Sequence, residues 1–157
     1  MKFSLSALCI LSILLSCNDN KPAEVPNLEG TWQLISGTLI EKGDSVFTDY
    51  TSKNKMIKII NKTHFAFLNH DGNNGKDSTA MFSAGGGPYE LKGDQYTEYL
   101  NYCNDRAWEG NTFRFTVAIR NDTLTQTGME TIEATKVNRM NIEKYVRVLP
   151  TNERETK

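Results

Sequence analysis

The chain is short of the residues that carry most site chemistry. It has three cysteines and two histidines in 157 residues, and no Cys-x-x-Cys pair. A structural zinc site needs four such ligands at short spacings, so none is expected, and no metal or cofactor is implied. Charge of one sign is also missing. Eighteen basic residues face nineteen acidic ones, a formal net charge of −1. That balance gives no electrostatic case for nucleic acid. There is no long apolar run either. The best, Phe3 to Ser16, is too short to span a bilayer as a stable helix. A phosphate-binding loop is absent as well. "SAGGGPYELKGD" has three glycines in a row, Gly85 to Gly87, but they run toward a strand and a second turn, with no Lys-Ser/Thr and no helix N-terminus. The glycines read as a corner, where positive φ permits a sharp bend between two strands.

What is present begins at the N-terminus. Met1-Lys2 is a short positive start, and the apolar stretch after it ends in Leu14-Leu15-Ser16-Cys17. This resembles the lipobox of bacterial lipoproteins, which places a signal peptide at 1–16. The resemblance implies cleavage before Cys17 and a lipid on its thiol, with the membrane as partner. Asn18, rather than Asp, follows the cysteine, which points to the outer membrane. Three acyl chains would hold such a protein firmly. Cys9 leaves with the signal and Cys17 is occupied by lipid. Cys103 then stands alone, and no intramolecular disulfide forms. Residues 17–27, polar with Pro22 and Pro26, read as a lipidated tether, 28–149 as one domain, and 150–157 as a polar tail.

Within the domain the hydrophobic period is two. Strands are expected at Gly30–Glu41, Lys55–Asn61, His64–Asn69, Thr79–Ala84, Tyr89–Lys92, Gln95–Cys103, Thr112–Arg120, Thr123–Gly128 and Asn141–Val148. Short polar turns link them, and Glu130 to Arg139 has room for a helical turn. Many antiparallel strands in sequence order, with no long helix, make a meander, and a meander of this length removes its edges by closing. The fold class is therefore all-β, an antiparallel up-and-down barrel of about eight to ten strands.

Side-chain parity then sorts inside from outside. Phe113, Phe115, Val117 and Ile119 share the apolar face of "TFRFTVAIR". Tyr96, Glu98, Leu100 and Tyr102 share the larger face of "QYTEYLNYC". Leu124 carries Gln126 with it. In "NIEKYVRVL", Ile142, Val146 and Val148 form the plain apolar face, but Lys144 lies on it, and Tyr145 and Arg147 lie on the other. A carboxylate facing an apolar interior is costly unless paired or hydrated. Glu98 is thus either a ligand anchor or half of a structural ion pair, with Arg147 as the candidate cation. The candidate ligand-binding set is Tyr96, Glu98, Tyr102, Phe113, Phe115 and Gln126, with no catalytic and no metal-binding residue assigned.

Gly30-Thr31-Trp32 resembles the Gly-x-Trp signature of lipocalins, in which the tryptophan closes the barrel floor beneath an arginine of the last strand. Arg147 stands where that arginine would be. "THFAF", "GGGPYELKGDQYTEYLNY" and "GNTFRFTVAIRNDTLTQTG" look like the lipocalin-like domain of bacterial lipoproteins, a family of unassigned activity. The resemblance runs from about Leu28 to Val148 and implies a small calycin-type barrel without established catalytic residues. Separately, Asp44-Ser45-Val46, Asp77-Ser78-Thr79 and Asp122-Thr123-Leu124 resemble periplasmic O-glycosylation triplets, although Asp-Thr is also ordinary turn chemistry.

Three functions follow. The first is a lipid-anchored envelope protein holding a small, partly apolar ligand in its barrel. The second is a non-enzymatic interaction or inhibitor module with a packed interior. The third is a barrel enzyme using Glu98 as acid or base. Fold resemblance favours the first and names no site.

Overall fold

A computed structural model describes residues 25–149. The expected signal peptide, the lipid site Cys17 and the polar tail lie outside the described residues. Ten strands run in chain order: β1 (Gly30–Glu41), β2 (Asp44–Asp49), β3 (Asn54–Ile60), β4 (His64–Asp71), β5 (Phe82–Lys92), β6 (Gln95–Tyr99), β7 (Tyr102–Cys103), β8 (Thr112–Arg120), β9 (Thr123–Ile132) and β10 (Val137–Arg147). The helical turn is a single 3₁₀ turn, Glu133–Thr135.

All pairings are antiparallel, and β10 pairs with β1 to close the sheet. The closed barrel has eight strands, β1, β3, β4, β5, β6, β8, β9 and β10; β2 and β7 are additions. β2 continues β1 through a two-residue hairpin at Lys42-Gly43, both with positive φ, as that turn requires. Asn121-Asp122 joins β8 to β9 in the same way.

One end of the barrel is shut. Trp32 is fully buried, its indole N–H donates to the Leu28 carbonyl at 2.8 Å, and it sits opposite Arg147 in the β1–β10 register. The Arg147 guanidinium lies 4.1 Å from the indole centroid and donates to the carbonyls of Glu29 and Asn27. Gly30 has φ +134, and a Cβ there would meet Arg147 Nη1 at 2.7 Å. The Gly-x-Trp stretch and the last strand therefore make one floor.

The three glycines do not turn a corner. Gly85, Gly86 and Gly87 lie inside the single eleven-residue strand β5, and none of them is among the positive-φ residues. Their smallness serves close approach. A Cβ on Gly87 would lie 1.9 Å from the Tyr99 carbonyl oxygen, and one on Gly86 would lie 2.4 Å from that of Phe65. β6 and β7 pair in turn with the same edge of β5, and the register shifts by one residue between them, so the bulged backbone at Tyr99–Asn101 presses against Gly87, where a side chain would hold the two backbones apart.

That bulge also breaks the alternation after β6. Leu100 is buried, the Asn101 N–H turns back to the Tyr99 carbonyl, and Tyr102 emerges on the outside, 69% exposed. The expectation that Tyr102 faces the interior is corrected: the parity was carried through a strand that in fact ends at Tyr99. Cys103 takes the inward position instead and is half-buried.

β1 changes face too. Its register with β10 shifts between Leu34 and Ser36. Trp32 and Leu34 point into the core before this bulge, and Gly37 and Leu39 line the interior after it. On β10 the inward residues are Asn141, Glu143 and Tyr145. Ile142 and Val146 are only half-buried and Val148 is exposed. The plainly apolar face of the last strand is thus the outer one. Of the three Asp-Ser/Thr triplets, Ser45 and Ser78 are exposed and Thr123 is half-buried.

Candidate functional site

Above the floor, a tight apolar layer of Trp32, Leu34, Ile60, Val117, Leu124 and Tyr145 fills the barrel. Toward the other end the interior opens into a cavity of about 250 Å³. It reaches the rim, where exposed Asp105 lines it. Phe67, Phe113 and Phe115 supply apolar walls, and Tyr50 and Trp108 stand at the upper side. Phe113 and Phe115 come from alternate positions of β8, the strand whose alternation is cleanest.

The inner part of the cavity is charged. Lys58 of β3, 2% exposed, donates to Glu98 Oε1 at 2.8 Å and to Gln126 Oε1 at 3.0 Å. Its ammonium is 4.0 Å from Glu143 Oε2. Gln126 turns its amide N–H to the same Glu143 oxygen at 3.2 Å, and the Tyr145 hydroxyl donates to it at 2.8 Å. Aromatic rings surround the ammonium: Tyr145, Phe65 and Tyr96 lie 5.2, 5.8 and 6.0 Å away. The arrangement comes from four strands. Lys58 shares an inward face with Ile60, Glu98 with Tyr96, Gln126 with Leu124, and Glu143 with Tyr145.

Burial disfavours every charge in this cluster. It pushes the Glu98 carboxyl above the usual carboxylate range; Lys58 opposes that shift and Glu143 adds to it. Burial alone would lower Lys58, but the two carboxylates outweigh it and hold the ammonium above its ordinary value. Lys58 is therefore a cation and not a nucleophilic amine. Desolvation also raises the Tyr145 and Tyr96 phenols, so both are protonated donors at neutral pH. The buried Tyr96 hydroxyl faces the Glu98 carboxylate, which helps to hold its phenol protonated, although the two do not meet with full hydrogen-bond geometry.

A second charged pair sits nearer the mouth. Glu130 accepts from Arg139 Nε and from Asn141 Nδ2, each at 2.7 Å. Arg139 stacks over Trp108, 5.3 Å from its centroid, and Trp108 packs in turn on Phe113. Trp108 is held by the β7–β8 loop, which is tied down by Asn111 to the Ala107 and Trp108 carbonyls and by Glu109 to the Cys103 N–H.

Of the residues expected from the sequence, the cavity brings together Glu98, Phe113, Phe115 and Gln126. Tyr96 is buried behind them, and Tyr102 is outside. Arg147 is not the partner of Glu98. It belongs to the floor, and the cation is Lys58. Lys58, Glu143, Tyr145 and the Arg139–Trp108 stack were not expected. His64 is exposed, and neither it nor His70 lines the cavity. Searches against protein-family models and against curated proteins find no match, so the site's own geometry carries the functional argument.

Proposed function

We propose that this chain is a lipid-anchored envelope binding protein that holds a small, partly apolar ligand inside its lipocalin-like barrel. One observation carries the reading: a cavity of about 250 Å³ with aromatic walls and convergent polar groups, Lys58, Glu98, Gln126 and Glu143, at its inner end. Binding sites combine apolar enclosure with a few placed polar groups in this way, whereas a packed interaction module has no need of buried charge. The engineered cavity that takes up benzene is only about 150 Å³, so the space here suits a ring with a short chain.

The anchor fits the same picture. The described chain enters at the floor, where Val25 and Pro26 lie near Arg147. A lipid on Cys17 would therefore join the barrel at the end opposite the mouth. In the proposed outer-membrane setting, the mouth stays open to solvent.

Native mass spectrometry of the protein released gently from membranes tests the ligand reading, with a bound small molecule as the expected result. Leu100→Trp, which fills the cavity from its wall, should lose that molecule while keeping the barrel's circular dichroism. A wild-type protein that carries nothing and takes up nothing from a fragment library would overturn the reading. For the anchor, Cys17→Ser should abolish incorporation of labelled palmitate. Full membrane retention of that variant would refute the lipid site.

A further inference from the structure

The charges inside the cavity are unequal, and the inequality selects a class of ligand. An ammonium group has three donors. Lys58 uses one on Glu98 Oε1 and one on Gln126 Oε1, and Glu143 Oε2 faces it at 4.0 Å. Arg139 is paired with Glu130 and stacked on Trp108. The two cations thus face three inner carboxylates, Glu98, Glu130 and Glu143, around one cavity, with exposed Asp105 a fourth at the rim. Glu98 and Glu130 each have a cation of their own within hydrogen-bond distance, and Glu143 does not.

Glu143 is also half used. Among the described residues both of its hydrogen bonds, from Gln126 and from Tyr145, end on Oε2, and Oε1 accepts none. An anionic ligand would add a further negative charge to a cavity whose carboxylates already outnumber its cations. A metal ion is a poor fit, because no three His, Cys, Asp or Glu side chains converge as ligands among the described residues. An organic cation meets none of these objections. It supplies the missing charge, and the rings of Phe67, Phe113 and Phe115 offer it hydrophobic contact and π faces.

We infer that the cavity takes a small protonated amine, its ammonium seated on Glu143 and its apolar part against Phe67, Phe113 and Phe115. The inference rests on the ligand-binding reading above and narrows it to one chemical class.

Three probes of similar size separate the possibilities: 2-phenylethylamine, 2-phenylethanol and phenylacetate. Isothermal titration of the full-length chain in detergent at neutral pH should show the amine binding at least tenfold more tightly than the alcohol, and no measurable binding of phenylacetate. Glu143→Gln should weaken the amine at least tenfold and leave the alcohol unchanged. The three-probe comparison on the unmutated protein stands even if that variant does not fold. Equal or tighter binding of the alcohol or of phenylacetate would overturn the amine class while leaving a ligand-binding cavity. Failure of all three probes would overturn the amine inference. The cavity reading falls with it only if native protein also carries no small molecule.

Discussion

Lys58 and Glu98, forty residues apart in the chain, meet at 2.8 Å inside the barrel with both side chains almost fully withdrawn from water. Removing one member of such a pair leaves the other charge buried and uncompensated, which costs about 3–5 kcal/mol. Lys58→Met should fall in that range, because it abandons Glu98 and Glu143 together. Glu98→Gln should cost less, since the amide oxygen still accepts from Lys58 and Glu143 still balances its charge. Urea unfolding of the two single variants and the double variant should give a coupling of about 0.5–3 kcal/mol. Strict additivity would show that the pair does not act as a unit.

The same carboxyl sets a pH dependence of unusual sign. Glu98 is raised by burial above its ordinary value of 4.5. Between its unfolded and folded values the unfolded chain has released the proton and the native chain has kept it, so stability falls as pH rises. Asp71 and Asp77 are held low by hydrogen bonds from Gly75 and Thr79 and act in the opposite sense. Their contribution is common to wild type and variant and cancels in the difference. The stability of wild type minus that of Glu98→Gln, measured by urea unfolding, should decline as pH rises from about 4.5 and then level off. A flat difference would mean that Glu98 titrates as an ordinary surface acid.

Much of the barrel was legible because alternation survives where a strand is long and plainly half-buried. β1 and β8 have the limits expected of them, and the inward positions of Phe113, Phe115 and Gln126 follow from parity alone. Parity failed where the backbone is irregular. The bulge beside Gly87 moved Tyr102 outside, and on β1, to which no face had been assigned, the bulge after Leu34 moves the inner face from even to odd positions. It failed again where polarity misleads. In "KMIKII" the isoleucines at 57 and 59 look like the buried set, yet Ile59 is 42% exposed and Lys58 is inside. In β10 the inward face is Asn141, Glu143 and Tyr145, the more polar choice. Hydrophobicity cannot identify a buried charge whose partners lie on three other strands. β2 was missed because it is short, begins and ends in aspartate, and is mostly exposed.

Trp32 and Arg147 offer a test of the floor. Trp32→Ala removes a fully buried indole and should cost about 3–5 kcal/mol. Arg147→Ala loses one cation–π contact and two hydrogen bonds to carbonyls, and should cost less. With the guanidinium 4.1 Å from the ring centroid, the two substitutions should not add. Additive losses in chemical denaturation would show that the stack contributes nothing.

Gly87 and Gly43 separate close approach from backbone conformation. At Gly43 nothing lies within 4 Å of a built Cβ, but φ is +93. Alanine there meets only conformational strain, about 1–2 kcal/mol. At Gly87 φ is not positive, yet the Cβ would sit 1.9 Å from the Tyr99 carbonyl oxygen and 3.0 Å from the Asn101 amide nitrogen. Both are backbone atoms, and both belong to the segment that swings from β6 toward β7, so neither can rotate away. Overpacking a core position typically costs about 1–3 kcal/mol. Gly87→Ala should reach the top of that range, because relief requires moving a strand. The displacement should also reach the cavity, since the same segment carries Leu100 and Cys103 into its wall. Gly43→Ala should leave the cavity unchanged, because its hairpin tip is remote from those residues. Urea unfolding ranks the two variants, and the reactivity of the half-buried Cys103 thiol reports the wall. The expected pattern is a larger stability loss and faster thiol labelling for Gly87→Ala. Equal stability of the two variants, with unchanged labelling, would mean that the Tyr99–Asn101 backbone does not pack against Gly87.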